Sequence, residues 1–232
     1  MAYYKVIETE TYTYEGITNA KGEPNGNGVM RFISGGVYEG TFKGGKLHGW
    51  GKIIFNDGRI DEGIFKKGTL VRGKITYYSG MVQEGTFKDG MTLVKGKRIS
   101  PNGTIEEGIF DGSIYGGLAK GKIIYSNGVI YEGKFNAATL EGKGKIVWFD
   151  GTIVKGTFDY GHLTGEVKIT LNRHIYKTTC DNGWIALKGV CVNGYGKRIS
   201  ESGNELEEGE FERGNLVKGK RTYANGTVEE VK

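Results

Sequence analysis

A single motif recurs along almost the whole chain, and this repetition constrains the fold more than any other feature. The fullest copy runs from Tyr38 to Gly58 and opens with Tyr-Glu-Gly-Thr-Phe. A fixed period of this length indicates a linear array of one supersecondary unit rather than a chain folded around one central core. Related Gly-x-Phe openings return, mostly about every 23 residues, at Gly40, Gly63, Gly85, Gly108, Gly133, Gly156 and Gly209.

The composition supports an ordered array. Glycine supplies 42 of the 232 residues and could indicate low complexity, but aromatic residues make up 12% and recur in phase with the glycines. The net charge of +5 is modest and does not suggest a nucleic-acid partner. Charged residues near the N-terminus and the lack of a long apolar run predict a cytoplasmic protein, neither secreted nor membrane-spanning.

Each repeat divides into two short segments typical of β-strands, such as Tyr38–Phe42 and Lys52–Phe55, which are rich in aromatic and β-branched residues. The connection that follows, Asn56-Asp57-Gly58, suits a type I turn ending in a left-handed glycine. This turn fixes the register of the hairpin, so that Lys52 is predicted to face Glu62.

The same ten-residue step from Lys to Glu predicts a charge ladder across the sheet. Opposite charges facing each other on antiparallel strands contribute about 0.2–1 kcal/mol each. Lys145 with Lys155 breaks the rule. On the other side of the hairpins the spacing varies, which makes that side the expected place for insertions and specific contacts. The further pairs are Lys74 with Glu84, Lys97 with Glu107, Lys122 with Glu132, and Lys220 with Glu230.

The ends and one internal region depart from the pattern. Residues 1–13 are interpreted as a capping segment with an entering strand over 3–13, and residues 14–232 as the repeat array. An irregular repeat with an insertion at 171–196 is expected to form a protruding loop or an extra short hairpin. The last repeat stops at Val231 and leaves an open strand edge, through which a homodimer can form.

The stretch Tyr38-Glu-Gly-Thr-Phe, with Gly45-Lys-Leu-His-Gly-Trp-Gly51 and Asp57-Gly58, resembles the MORN (membrane occupation and recognition nexus) repeat, and the resemblance covers residues 14–230. It implies an all-β fold: an elongated, twisted, single-layer antiparallel sheet of about nine to ten stacked hairpins with a groove. It also implies scaffold roles in cytoskeletal, ciliary or membrane-associated assemblies, with partner segments held in the groove or phospholipids bound.

Residues that imitate catalytic or ligand motifs have simpler explanations. The spacing of Gly68-x-x-x-x-Gly73-Lys74 imitates a phosphate-binding loop, but no Ser or Thr follows and the segment leads into a strand. The three histidines, His48, His162 and His174, fall in different repeats. The sequence therefore predicts no enzyme activity, no cofactor and no metal.

A row of basic residues is the first candidate binding feature, because one precedes the Gly-Lys of several repeats without a glutamate at the matching offset. This stripe could bind anionic lipid head groups or an acidic partner. It could equally be a sheet margin that discourages aggregation. The basic stripe consists of Arg72, Lys95, Lys120, Lys143 and Lys218.

An aromatic groove is the second candidate, since a single-layer sheet leaves one side of some rings uncovered. Such a groove could receive a helical or extended segment of a protein partner, or a subunit of a larger complex. The favoured function is a non-enzymatic scaffold, and the alternative is a peripheral membrane module that binds anionic phospholipids. The predicted groove residues are Phe87, Phe110, Tyr125, Phe135, Trp148 and Trp184.

Overall fold

The protein is built of strands joined in consecutive antiparallel hairpins. The computed structural model describes residues 2–113, 116–171, 174–183, 185–186, 190–191, 194–199, 205–212, 215–223 and 225–232. No helix occurs among these residues, which confirms the predicted all-β class. The chain divides into two compact units, residues 1–116 (unit 1) and 117–232 (unit 2).

Unit 1 contains ten strands, in which each strand pairs with the next along the chain. Successive pairing follows from the short turns, which leave no room for a crossover. The strands are β1 (Tyr3–Glu8), β2 (Tyr12–Thr18), β3 (Pro24–Phe32), β4 (Val37–Lys43), β5 (Lys46–Ile54), β6 (Ile60–Lys66), β7 (Thr69–Thr76), β8 (Val82–Lys88), β9 (Thr92–Ile99) and β10 (Ile105–Phe110).

Unit 2 repeats this arrangement in three sheets, β11 to β16, β17 with β18, and β19 to β22. The small β17–β18 sheet lies within the predicted insertion, where a short hairpin was expected. The strands are β11 (Leu118–Ile124), β12 (Ile130–Asn136), β13 (Thr139–Val147), β14 (Ile153–Asp159), β15 (His162–Leu171), β16 (His174–Gly183), β17 (Ile185–Ala186), β18 (Val190–Cys191), β19 (Gly194–Ile199), β20 (Glu205–Glu212), β21 (Asn215–Tyr223) and β22 (Val228–Val231).

The turns have the predicted geometry. The amide of Phe55 donates to the Arg59 carbonyl at 2.9 Å, the Gly58 amide donates back to the Phe55 carbonyl at 3.1 Å, and Gly58 has a φ of 87°. This φ is left-handed, which glycine adopts without strain. Lys52 accordingly faces Glu62 across β5 and β6. All the other predicted Lys–Glu pairs, and the exceptional Lys145–Lys155 pair, are in the predicted register.

The opposite ends of the hairpins carry β-bulges, which explain the variable spacing there. In unit 1 the register shifts between Gly40 and Phe42, between Ile64 and Phe65, and again in β8. A bulge adds a residue to one strand and increases its local twist. Length can therefore vary on this side while the charge ladder on the other side stays in register.

Buried apolar side chains form a core in each unit. Phe42 and Leu47 are 2% and 1% exposed, and the Tyr14 ring packs edge-on against Phe42 with their centroids 5.3 Å apart. The δ carbons of Leu47 cover Gly51, so a leucine from the bulged end fills the glycine notch. The Phe55 ring lies beneath the guanidinium of Arg59, whose Cζ atom is 4.0 Å from the ring centroid.

Ion pairs replace the leading tyrosine of the repeat in parts of the core. Asp61, 3% exposed, accepts hydrogen bonds from Arg59 at 2.9 and 2.8 Å. Burial raises the pKa of the Asp61 carboxyl, and the arginine opposes that rise. In unit 2, Arg221 donates to buried Glu207 in the same way. These acids are structural, since each has an arginine that neutralises it within the core.

The predicted capping segment contains more than one strand. β1 ends at Glu8 and β2 already begins at Tyr12. Between them the Thr9 hydroxyl oxygen accepts hydrogen bonds from the amides of Thr11 and Tyr12, at 3.2 and 2.9 Å. The side-chain hydroxyl closes this turn, and a single strand over residues 3–13 is therefore interrupted.

Candidate functional site

A continuous row of glycines crosses unit 1 at right angles to the strands. Each glycine faces another glycine on the neighbouring strand, so a narrow path without side chains runs from β2 to β10. We call this feature the glycine row of unit 1. Its members, in register order, are Gly16, Gly28, Gly40, Gly51, Gly63, Gly73, Gly85, Gly96 and Gly108.

The strands approach each other closely along this row. A Cβ atom added to Gly40 would lie 2.5 Å from both the Gly51 Cα and the Trp50 carbonyl oxygen. Gly40 also has a φ of 140°, a conformation that L-residues with side chains rarely adopt. Glycine is thus required here for the close approach of two backbones.

An open groove follows the glycine row on the face opposite the core. Its first stretch has a volume of about 540 Å³ and its second about 790 Å³, and both contain Trp50. From Tyr4 on β1 to Glu107 on β10 the groove crosses all ten strands. At about 4.8 Å per strand its length is about 40 Å.

The two walls of the groove differ in chemistry. The ladder wall is the charge ladder, whose facing residues include Lys52, Glu62 and Lys74 in alternating sign. The opposite wall begins with polar and apolar residues and becomes basic towards β9. Its half-exposed apolar residues are Trp50, Ile64 and Ile109. In order, this wall consists of Trp50, Ile64, Arg72, Thr86, Lys95 and Ile109.

The first stretch of the groove is acidic. Glu15 and Glu39 line it, and no basic residue does. The Tyr4 hydroxyl donates to the Glu15 carboxylate at 2.6 Å, and this hydrogen bond raises the pKa of Tyr4. The second stretch instead contains four basic and three acidic side chains. The groove therefore changes from acidic to weakly basic along its length.

Unit 2 contains a groove of about 620 Å³ over its own glycines, between β13 and β15. Lys143 and Lys155 stand on its two sides, and Gly144 and Gly156 form part of its floor. Thr157 also lines it. Its lining has two basic side chains and one acidic side chain, Glu166, whereas the second stretch of the unit 1 groove has four basic and three acidic ones.

The structure divides the predicted basic stripe between the units. Arg72 and Lys95 are exposed on the opposite wall of the unit 1 groove, and Lys143 lines the unit 2 groove. Lys120 faces another lysine, Lys134. Lys218 faces Glu210 across β21 and β20.

The predicted aromatic groove is largely a feature of the core. Phe87, Phe110 and Phe135 are 5%, 4% and 8% exposed, so they cannot offer open rings to a partner, and this part of the prediction is corrected. Each of these rings lies two residues after the glycine of its repeat, so strand alternation places it on the covered face. Tyr125 is partly buried and packs against Tyr131 at 5.2 Å.

Trp148 is partly buried, and its indole nitrogen is enclosed without a hydrogen-bond partner. Trp184 lies outside the described residues. Sequence reasoning missed Trp50 and Ile64, which line or flank the actual groove. The signal that could have found them is their position, directly beside the glycine row and on the same face as the ladder charges Lys52 and Glu62.

The described residues contain no helix that is long and apolar enough to cross a membrane. They also contain no group of three His, Cys, Asp or Glu side chains arranged to hold a metal. β22 pairs with β21 on one side. A homodimer through its other edge stays a prediction, as does binding of phospholipids by the basic stripe.

Comparison with solved structures gives distant likenesses. The SAS-4 TCP domain of Drosophila melanogaster, in complex with a proline-rich motif of Ana2, is 17% identical, with 76% of this chain and 89% of that chain covered and a TM-score of 0.42. The TCP10 domain of Danio rerio CPAP, in complex with a STIL peptide, is 14% identical, with 90% and 96% covered and a TM-score of 0.31. At these low TM-scores the likenesses carry no argument.

Comparison with protein families gives a specific result. Among curated protein sequences none matches the chain. The family model of the MORN repeat matches residues 20–37, 38–58, 84–105, 131–153 and 208–228. The matches fall in both units, and the four matches after the first each contain all or most of two consecutive strands of the array. With five such repeats in phase, the chain is a MORN-repeat protein.

Proposed function

We propose that this protein is a non-catalytic scaffold that holds a segment of a partner protein in the groove of unit 1. The proposal rests on the continuous groove over the glycine row. The two stretches of this groove meet at Trp50, which lines both of them. The groove is long, shallow and open, whereas sites for small molecules are usually enclosed clefts. A chain segment, helical or extended, suits this shape.

The walls provide both affinity and orientation for such a segment. Trp50 and Ile64 face each other across β5 and β6 and are 50% and 45% exposed, so they offer apolar contact area to a ligand. Tryptophan is among the residues that most often dominate binding energy at interfaces. The ladder charges around them would fix the register and direction of the bound segment.

The setting we infer is a larger cytoplasmic assembly, cytoskeletal, ciliary or membrane-associated. Membership of the MORN-repeat proteins supports this inference, because their repeats act as interaction modules. The absence of an enclosed pocket beside reactive side chains in the described grooves also favours a structural role over catalysis.

The test compares two double variants in affinity purification from native extract, with quantitative mass spectrometry. Trp50→Glu with Ile64→Glu places charge in the groove. Ile33→Glu with Tyr78→Glu is the matched control, since these apolar residues are 74% and 86% exposed outside the groove lining. We expect the groove variant to lose its main partner by about tenfold or more, as for an interface hot spot.

The control variant should recover the partner in nearly wild-type amount. If the groove variant recovers the same proteins as wild type, the groove is not the binding site and the proposal fails. Circular dichroism of both variants confirms that the sheet is intact, because the replaced side chains lie on the exposed face.

A further inference from the structure

Unit 2 contains a run of facing lysines that the rest of the charge ladder avoids. Lys145 faces Lys155 across β13 and β14, and Lys155 faces Lys168 across β14 and β15. The next register partner, on β16, is Lys177. Like charges directly opposite each other destabilise a sheet. Three successive strands, β13 to β15, thus accept an electrostatic cost where unit 1 alternates lysine with glutamate.

Neighbouring acids relieve only one end of this run. Glu132 forms an ion pair with Lys145. Lys155 and Lys168 are exposed, and neither forms an ion pair with any residue whose side chain the structure describes. Two cations therefore stand side by side at the centre of the run without an ion pair to any described side chain, and Glu166 is the acid nearest to them in the groove lining.

The groove of unit 2 brings further donors to the same place. Lys143 stands on the opposite wall, where it faces Thr157, and Thr157 in turn faces Thr164. Both threonines line the groove, and Glu166 is the one acid among its lining residues. Ammonium and hydroxyl groups on both walls suit an anionic chain that lies along the groove floor.

We propose that Lys143, Lys155 and Lys168 bind an acidic segment of a partner protein, a short run of Asp or Glu residues. The carboxylates would supply the counter-charges that the run of lysines lacks. Lys145 and Lys168 are two strands apart, about 9.6 Å, which an extended chain covers in about three residues. A recessed linear groove favours a chain over a planar membrane surface. This site lies in unit 2 and is separate from the groove of unit 1.

The experiment measures binding of a fluorescent peptide to the full-length protein by anisotropy at low salt. The probe carries about four consecutive glutamates, enough to span the lysines at about 3.3 Å per residue. Its control has glutamine in place of every glutamate. We expect the glutamate peptide to bind and the glutamine peptide not to bind, and we expect added salt to weaken binding.

The decisive variant is Lys155→Glu with Lys168→Glu, which should weaken binding by about tenfold or more. Lys66→Glu with Lys88→Glu is the matched control. It makes the same change of charge on two exposed lysines two strands apart in unit 1, outside the grooves. That control should bind within about twofold of wild type.

Three results would overturn the proposal. The Lys155/Lys168 variant could bind as well as wild type, or the control could weaken binding equally, which would make net charge alone responsible. Alternatively, vesicles containing phosphatidylserine could sediment the wild type but not the Lys155/Lys168 variant while the glutamate peptide fails to bind, which would identify a membrane surface as the ligand. The single variant Lys155→Glu separates binding from folding, because it restores the alternating ladder and should fold at least as well as wild type.

Discussion

The grooves of the two units are built from the same repeat but differ in what closes their floors. In unit 1 the backbones meet, since a Cβ on Gly40 would lie 2.5 Å from the Gly51 Cα. In unit 2 a Cβ on Gly144 would instead meet the Phe158 ring at 3.1 Å. A ring can shift by a few tenths of an ångström, whereas a paired backbone cannot. The position of Gly40 therefore requires glycine more strictly than that of Gly144 does.

The walls differ in a similar way. The unit 1 ladder alternates in sign, and a lysine such as Lys97 has glutamates on both sides, Glu84 and Glu107. The unit 2 run places Lys155 between Lys145 and Lys168. The first arrangement stabilises the sheet by itself. The second requires something outside the sheet, and this contrast separates a structural ladder from a binding one.

The largest expected effect tests the floors. Gly40→Ala should destabilise the protein by about 2–4 kcal/mol, because it adds a backbone clash to a backbone conformation that alanine tolerates poorly. Gly144→Ala should cost no more than about 1.5 kcal/mol, since Gly144 is outside the left-handed region and its neighbour is a side chain. Urea unfolding of the full chain measures both. Equal effects would show that the two floors are closed alike.

A smaller effect is expected when the unit 1 ladder is broken. Lys97→Glu would place three glutamates in a row, with Glu84 and Glu107 on either side. Two favourable pairs become two unfavourable ones, so we expect a loss of about 1–2 kcal/mol of unfolding free energy. The loss should shrink in high salt, where charges are screened. A loss that does not depend on salt would point to packing instead.

The smallest effect, opposite in sign, is expected in unit 2. Lys155→Glu would give Lys145 and Lys168 an acid between them, and should raise the unfolding free energy by up to about 1 kcal/mol. The gain is expected to be smaller than the loss at Lys97 because charges on long, exposed side chains interact weakly in water. Urea unfolding at low salt provides the measurement. If the variant is less stable than wild type, the lysine run has no repulsion to relieve.

The strand order and the charge ladder could be predicted from the sequence because they depend on local rules. The three-residue turn at Asn56–Gly58 sets the register of its hairpin, and ten residues always separate Lys52-type from Glu62-type positions. Neither inference depends on which face of the sheet is covered. The MORN pattern could be recognised for the same reason, since it repeats those local rules.

The position of the groove could not be predicted in this way. Both faces of a hairpin carry apolar residues, such as Phe55 on one and Ile54 on the other. Within β8 and β12 burial follows the two-residue alternation, so Phe87 and Phe135 share a face with Gly85 and Gly133, but the alternation does not tell which face is covered. Sequence reasoning therefore selected rings that are buried, and overlooked the exposed Trp50 beside the glycines.

The pairing of each strand with its sequence neighbours affects how the groove of unit 1 can change in evolution. Because every strand in unit 1 contacts its sequence neighbours, gaining or losing one whole hairpin there would add or remove about 9.6 Å of groove without disturbing the remaining pairs. The length of the groove can then change only in steps of one hairpin. The number of copies of the motif therefore sets how long a partner segment the groove can hold.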